Sequence, residues 1–388
     1  MKKVIFLVII FVLFFKNSQS QNFNWITPNK TYLKMFVADD GIYRINRADF
    51  TNVGINTNDV NPKTVKVYNK GVQIPVYFEG ENDGVFDVSD YLDFYGTRNY
   101  GGLTKTYSED NSLKYTTNEF YNLYSDTNVY WIDWGGANGL RMQISNYTSP
   151  ALYSLQYSYD FIHREKDKYY GIGEALPGID YRNFTNEKFL GEGWYWSLLN
   201  NFGGINNLTA SDTFSIPLLS GVFQDATIRI FAYPFNISQS ILNEHNLQIK
   251  VNGITISTIT INDFKKIDTT LTFSSSILFS SGTNTASVTY APAAGFETAG
   301  AMNFDLFEIK YPKLFKFRNN QSLIILSGTD STSRKFSLSG YVPANPVQIY
   351  DVTNGIKINA YTSNLDTLKF TGKSNTKFEV INKNITKI

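Results

Sequence analysis

Between residues 212 and 311 the chain places seven short runs with alternating apolar residues: Thr213 to Leu218, Ala226 to Tyr233, Asn246 to Val251, Ile254 to Ile261, Asp268 to Phe273, Thr285 to Tyr290 and Asn303 to Tyr311. Helices need a period near 3.6, so these period-two runs, separated by turn residues, leave a β-sandwich as the architecture that buries one face of each. Asn252-Gly253 joins two of the runs, and that pair supplies the left-handed backbone of a two-residue hairpin turn.

The same signature recurs on both sides. Upstream, Tyr32 to Val37 and Gly41 to Ile45 flank Ala38-Asp39-Asp40 and read as a hairpin. Thr64 to Tyr68 and Gln73 to Phe78 read as another, turning at Asn69-Lys70-Gly71. Arg47 to Val53 reads as one short helix, Asp90 to Tyr95 and Val129 to Trp134 as strands, and Leu152 to Arg164 as a further strand. The polar, Tyr-rich stretch 101–128 reads as a long loop with one helical turn near Asn118 to Leu123. Downstream, Leu323 to Leu326, Lys335 to Leu338, Val347 to Tyr350, Lys369 to Phe370 and Phe378 to Ile381 are punctuated by Pro343 and Pro346. The expected fold class is all-β and multi-domain, with β-sandwich or jelly-roll-like modules and few short helices. The expected parts are a signal peptide (1–20), an aromatic-rich β region (21–205), a β-sandwich (206–315) and a small β domain or linker (316–388).

The leader carries Lys2 and Lys3 before an apolar run from Val4 to Phe15 and a polar stretch ending Ser18-Gln19-Ser20-Gln21, the layout of a secretory signal peptide. As a helix that run spans roughly 18 Å against a hydrocarbon core of about 30 Å, so cleavage between Ser20 and Gln21 is expected, with no membrane span afterwards. Export to the periplasm, the outer cell surface or the medium follows. Removing Lys2, Lys3 and Lys16, with no acid in the leader, takes the formal charge from +1 to about −2 (+1 − 3). A near-neutral surface offers no electrostatic attraction to nucleic acid.

With no cysteine among 388 residues, disulfides and thiolate catalysis are out of reach, and only His163 and His245 are present to serve a Ser-His-Asp arrangement or a zinc site. Neither lies in a motif, so no catalytic residue is assigned. Two constellations remain. Glu79, Glu81, Asp83 and Asp90 occupy positions one, three, five and twelve of an EF-hand-like loop, with Gly84 at position six and Asp87 between; the reading is Ca2+ binding. The plainer reading is an acidic hairpin turn at Asn82-Asp83-Gly84. Trp131 and Trp134, with Trp194 and Trp196, invite a carbohydrate platform for a surface glycan, against the alternative that the rings are core.

Three segments carry a family resemblance: Lys34 to Ile45, Gly84 to Gly96, and Gly193-Trp194-Tyr195-Trp196. Together they resemble the N-terminal, non-catalytic region of gingipain-type cysteine peptidase proteins, including the PorU-like sortases of the type IX secretion system. Leu247 to Gly253 and Asp305 to Tyr311 are similar to the β-sandwich preceding the peptidase domain there, and Val347 to Thr353 to the strand leading into it. The resemblance implies a chain that supports, shields or presents a C-terminal peptidase domain, or meets secretion-system components. The Cys-His dyad of that family would lie beyond Ile388, and nothing here maps onto it. On this reading the chain as given is not an enzyme, and is a fragment, a split-gene product or an accessory protein.

Overall fold

The structure, a computed structural model, describes residues 24–107, 113–117, 120–122, 124–146, 157–170, 194–201, 205–221, 224–236, 238, 240–263, 265–316, 321–325, 333–340, 347–364, 367–373 and 376–382. The leader, with Ser20 and Gln21, lies outside these residues. The fold is all-β: strands in several mostly antiparallel sheets, with one α-helix, Arg47–Asn52, among the described residues. The described residues divide into two units, the first from those within 24–98 and 127–142, the second from those within 99–126 and 143–382.

The first unit is a sandwich of two small sheets. One runs in the order Leu33–Val37, Asn128–Asp133, Lys66–Asn69, Val72–Ile74, and the other Gly41–Asn46, Tyr91–Gly96, Tyr77–Glu79. Val37, Val67 and Ile132 of the first sheet pack with Tyr43, Ile45, Phe78, Leu92 and Phe94 of the second in one core. This corrects the expected hairpin of 32–45. The bend at Asp39-Asp40 carries the chain from one sheet to the other, so Leu33–Val37 pairs with Asn128–Asp133 while Gly41–Asn46 pairs with Tyr91–Gly96. The run from Gln73 to Phe78 is likewise divided. Pro75 has no N–H to give a ladder, and the strand crosses there from the first sheet to the second. The predicted turn holds: Lys70 and Gly71, both at positive φ, close the pairing of Asn69 with Val72. So does the helix, which Asn46 caps by accepting from Ala48 and Asp49 N–H while Asp49 accepts from Asn46 N–H.

In the second unit a ten-stranded sheet runs Gln143–Asn146, Ile356–Asn359, Val347–Asp351, Lys377–Asn382, Gln321–Ile325, Tyr157–Glu165, Ala301–Leu314, Asp225–Pro234, Ile267–Ser274, with Ser197–Asn200 pairing the long Ala301–Leu314 strand off that path. A four-stranded sheet, Thr209–Phe214, Asn284–Tyr290, His245–Val251, Ile254–Ile261, shares a core with one half of it. The alternation is direct: Leu247, Ile249 and Val251 are wholly buried, and the residues between them half-exposed. Asn252-Gly253 forms the expected turn, and the Asn252 side chain also donates to Ile277 O (2.7 Å) and accepts from Thr285 N–H (2.8 Å). The other half of the long sheet shares a second core, Phe336, Leu338, Ile349, Phe370, Phe378 and Val380, with the sheet Ser333–Ser339, Thr367–Lys373, Tyr361–Asn364. The stretch read as a loop contains the paired strands Leu103–Tyr107 and Leu113–Thr117, and residues 120–122 are not helical.

Candidate functional site

The Tyr157–Glu165 strand lies against Ala301–Leu314 with His163 opposite Glu308 and Glu165 opposite Leu306. On its other side the long strand meets Asp225–Pro234, and there the register slips: Phe231 faces Leu306 but Ala232 faces Phe304. Asp305 is the extra residue of a β-bulge. The slip also breaks the core alternation, which runs Met302, Phe304 and then Phe307, Ile309, Tyr311. A bulge re-aims side chains, and this one turns the Asp305 carboxylate toward Glu165.

Three carboxylates converge here. Ligand oxygens of Glu165, Asp167 and Asp305 lie within 4.8 Å of one another, the one such group among the described residues. Asp305 is 5 % exposed, and its Oδ1 has no hydrogen-bond partner among the described residues. Burial, reinforced by the charges of Glu165 and Asp167, pushes its pKa up to about 8. Beside it, His163 Nε2 meets Glu165 Oε2 at 2.7 Å and Nδ1 meets Glu308 Oε1 at 2.9 Å. Burial of the ring works against its charge, but the bonds to Glu165 and Glu308 outweigh it, and the pKa rises above the ordinary value. Glu308 is shifted the other way, first by His163 and then by Arg229, whose Nη1 donates to Glu308 Oε2 at 3.0 Å. Arg229 also binds Asp268 through Nε (2.8 Å) and Nη2 (3.1 Å). Phe120 stacks on the His163 ring at 3.9 Å with planes 11° apart.

Next to this chain of charges lies a groove of about 340 Å³ lined by Tyr159, Phe161, Arg229, Thr270, Glu308 and Lys310. Both ring nitrogens of His163 are engaged by carboxylates, so the imidazole is built to hold charge in place and has no nitrogen left to exchange a proton with a substrate. His245 is wholly buried, with Nδ1 on Tyr290 Oη at 2.8 Å, and burial pushes its pKa down to about 4.

The residues singled out from sequence are spread over separate partners. Gly80 and Gly84, both left-handed, bracket a single 3₁₀ turn, Glu81–Asp83. Glu81 binds Arg141, Glu79 accepts from Tyr77 Oη, Asp83 accepts from Val85 N–H (3.0 Å), and buried Asp90 accepts from Asp87 N–H (2.9 Å). The tryptophans fall in both units. Trp131 is half-buried beside Trp25, which stacks on Tyr68, and Trp134 packs on Phe50. Trp196 is 4 % exposed against Phe304 and Phe307, while its near neighbour Trp194 is 41 % exposed. Asp305 and Glu308 were not singled out from sequence, although the shift from Phe304 to Phe307 in a strand otherwise alternating by two marks the bulge.

The protein is thus a multi-sheet β-sandwich chain with a part-buried charge network on one sheet face. No protein-family model matches it, and no curated protein does. Among solved structures it is similar to dimeric latent PorU from Porphyromonas gingivalis, with a TM-score of 0.60 and 14 % identity over 90 % of this chain and 32 % of that one. The chain spans about a third of the length of PorU, and at that identity the likeness is one of fold. It supports, at that level, the resemblance drawn from residues 34–45 and 84–96. The insecticidal delta-endotoxin Cry8Ea1 from Bacillus thuringiensis aligns over 65 % of this chain and 42 % of its own, at 12 % identity and a TM-score of 0.22, too low to establish a common fold. No helix among the described residues is long and apolar enough to cross a membrane.

Proposed function

We propose that this chain is the exported, non-catalytic part of a gingipain-like, type IX secretion-associated peptidase assembly, serving a Cys-His peptidase domain that residues 1–388 do not contain. The observation that carries this reading is the correspondence of fold with PorU over 90 % of the chain. Two features of the chain agree with a supporting role. It holds no cysteine to act as the nucleophile of that chemistry. Its two histidines are bound between the part-buried carboxylates of Glu165 and Glu308 and in a sandwich core. The leader of two lysines followed by an apolar run supports delivery across the inner membrane, to the periplasm, the cell surface or the medium.

In-cell crosslinking in the source organism followed by mass spectrometry tests this. Crosslinks from lysines of this chain to a peptidase domain bearing a cysteine and a histidine, in the same polypeptide or another, are the expected result. Crosslinks confined to glycan-bearing envelope components, with no peptidase among the partners, would argue for a surface-binding protein instead.

A further inference from the structure

The four-stranded sheet of the second unit ends on Ile254–Ile261, whose one neighbour in that sheet is His245–Val251. Its residues, ITISTITI, include no charge, no proline and no glycine. Free strand edges invite pairing with another chain, and natural proteins blunt them with short length, charge, proline or a bulge. The other edge strands longer than four residues, among the described residues, all carry a charged side chain. Lys34 lies in Leu33–Val37, Arg44 in Gly41–Asn46, Asp212 in Thr209–Phe214, Asp268 in Ile267–Ser274 and Lys335 in Ser333–Ser339, and both strands of the pair Leu103–Tyr107 and Leu113–Thr117 have a lysine. Ile254–Ile261 keeps only a bulge at Ile256, where the register slips between the pairs Ser257 with Ile249 and Thr255 with Lys250. Beyond it Ser257 to Ile261 runs in regular register, and no backbone hydrogen bond reaches its outer side among the described residues.

We propose that this edge pairs antiparallel with the same edge of a second copy of the chain, joining the two four-stranded sheets into one. A two-fold axis that continues a sheet keeps each side chain on its own face, so residues opposite one another across it must share a face. The inward face carries Ser257, Ile259 and Ile261, paired with Ile249, Leu247 and His245, and the outward face carries Thr258 and Thr260. A register centred on Ile259 meets that condition. Ile259 then faces its own copy, Thr258 faces the partner's Thr260, and Ser257 faces the partner's Ile261. Inside, Ile259 is half-buried against the core, and a strand laid beside it would cover more of it. Outside, exposed Thr258 and Thr260 put uncharged, β-branched side chains opposite each other, which suits cross-strand packing. A copy of the same strand is the occupant this edge fits: identical uncharged edges meet without repulsion, and Thr258-Ile259-Thr260 reads the same in both directions. Pairing over so short a stretch buries less than the ~1,000 Å² of a stable interface, so the dimer is weak and concentration-dependent. The pairing does not rest on the peptidase reading of the chain.

Sedimentation velocity of the full chain from about 1 µM to about 200 µM tests the proposal, and a monomer–dimer equilibrium with Kd of roughly 100 µM is expected. Thr258→Lys with Thr260→Lys sets lysine against lysine twice across the axis, and should weaken the dimer at least about tenfold while leaving the circular dichroism unchanged. Thr258→Lys with Thr260→Glu sets opposite charges against each other in the same register, and should restore the dimer or tighten it. A parent chain that stays monomeric throughout would overturn the proposal and leave the edge to a different polypeptide. A dimer that the two lysines do not weaken would overturn this edge as its interface, and equal loss in both double variants would overturn the register.

Discussion

Arg141 Nε donates to Glu81 Oε2 at 2.8 Å, and the same guanidinium donates to the carbonyls of Pro62 (2.8 Å), Lys63 (2.9 Å) and Val65 (3.0 Å). One planar cation thereby holds the acidic turn against the segment that enters the Lys66–Asn69 strand. Gly139 makes room for it, since a Cβ there would stand 2.1 Å from Val65 O.

Arg141→Ala is accordingly expected to destabilise the first unit by about 2–3 kcal/mol, because it removes the charged donor shared by three carbonyls and the Glu81 carboxylate, although Pro62 O and Lys63 O keep the N–H of Val65 and Gly139. Arg141→Lys should recover less than half of that, since a single ammonium cannot reach acceptors spread around a forked guanidinium. Urea unfolding followed through a tryptophan probe in that unit measures both, and equal stability of the lysine variant and the parent would contradict the role given to the fork.

Gly80 meets Asp90 too closely for any other residue: its φ is +91°, and a Cβ would fall 1.9 Å from Asp90 Oδ1. Gly80→Ala should cost more than about 2 kcal/mol through backbone strain and displacement of that carboxylate. Adding Asp90→Ala should cost less in the Gly80→Ala background than in the parent, because the clash has already broken the Asp90 contact with Asp87 N–H. Strict additivity in a double-mutant cycle would show that the two do not meet.

His245 sets an acid limit on the sandwich. Its folded pKa, pushed down by burial to about 4, lies below the ordinary 6.5, so between those values the unfolded chain binds the extra proton. Stability contributed by the neutral ring is full above pH 6.5, declines as pH falls toward 4, and is lost by about 3 kcal/mol in all. Denaturant midpoints measured from pH 7 to pH 4 should fall along that window, and His245→Gln should flatten the fall. A midpoint that holds constant from pH 7 to 4.5 in the parent would rule the mechanism out.

How much of this was readable in advance follows from the range of each interaction. Turns at Lys70-Gly71 and Asn252-Gly253 and the short helix from Arg47 depend on residues within a few positions, and the sequence announces them; the Asn46 cap is seen only in the structure. Partner choice does not work that way. The alternation in Tyr32 to Ile45 is correct for two strands, but nothing local tells that they belong to different sheets. Leu103–Tyr107 and Leu113–Thr117 were missed because Thr and Lys dilute their apolar alternation, although Thr and Tyr favour strands. The charge network is the least legible part, since His163 and Glu308 stand 145 positions apart. Its one local trace is the parity break at Asp305.

The most direct test of the account is the mass and composition of the native polypeptide that carries residues 24–388, captured intact from the source cells with an antibody to this chain. The account predicts that a domain with a paired cysteine and histidine is present, either continuous with the chain or held to it through purification. A product that works at the cell surface with no such domain attached or associated would contradict it.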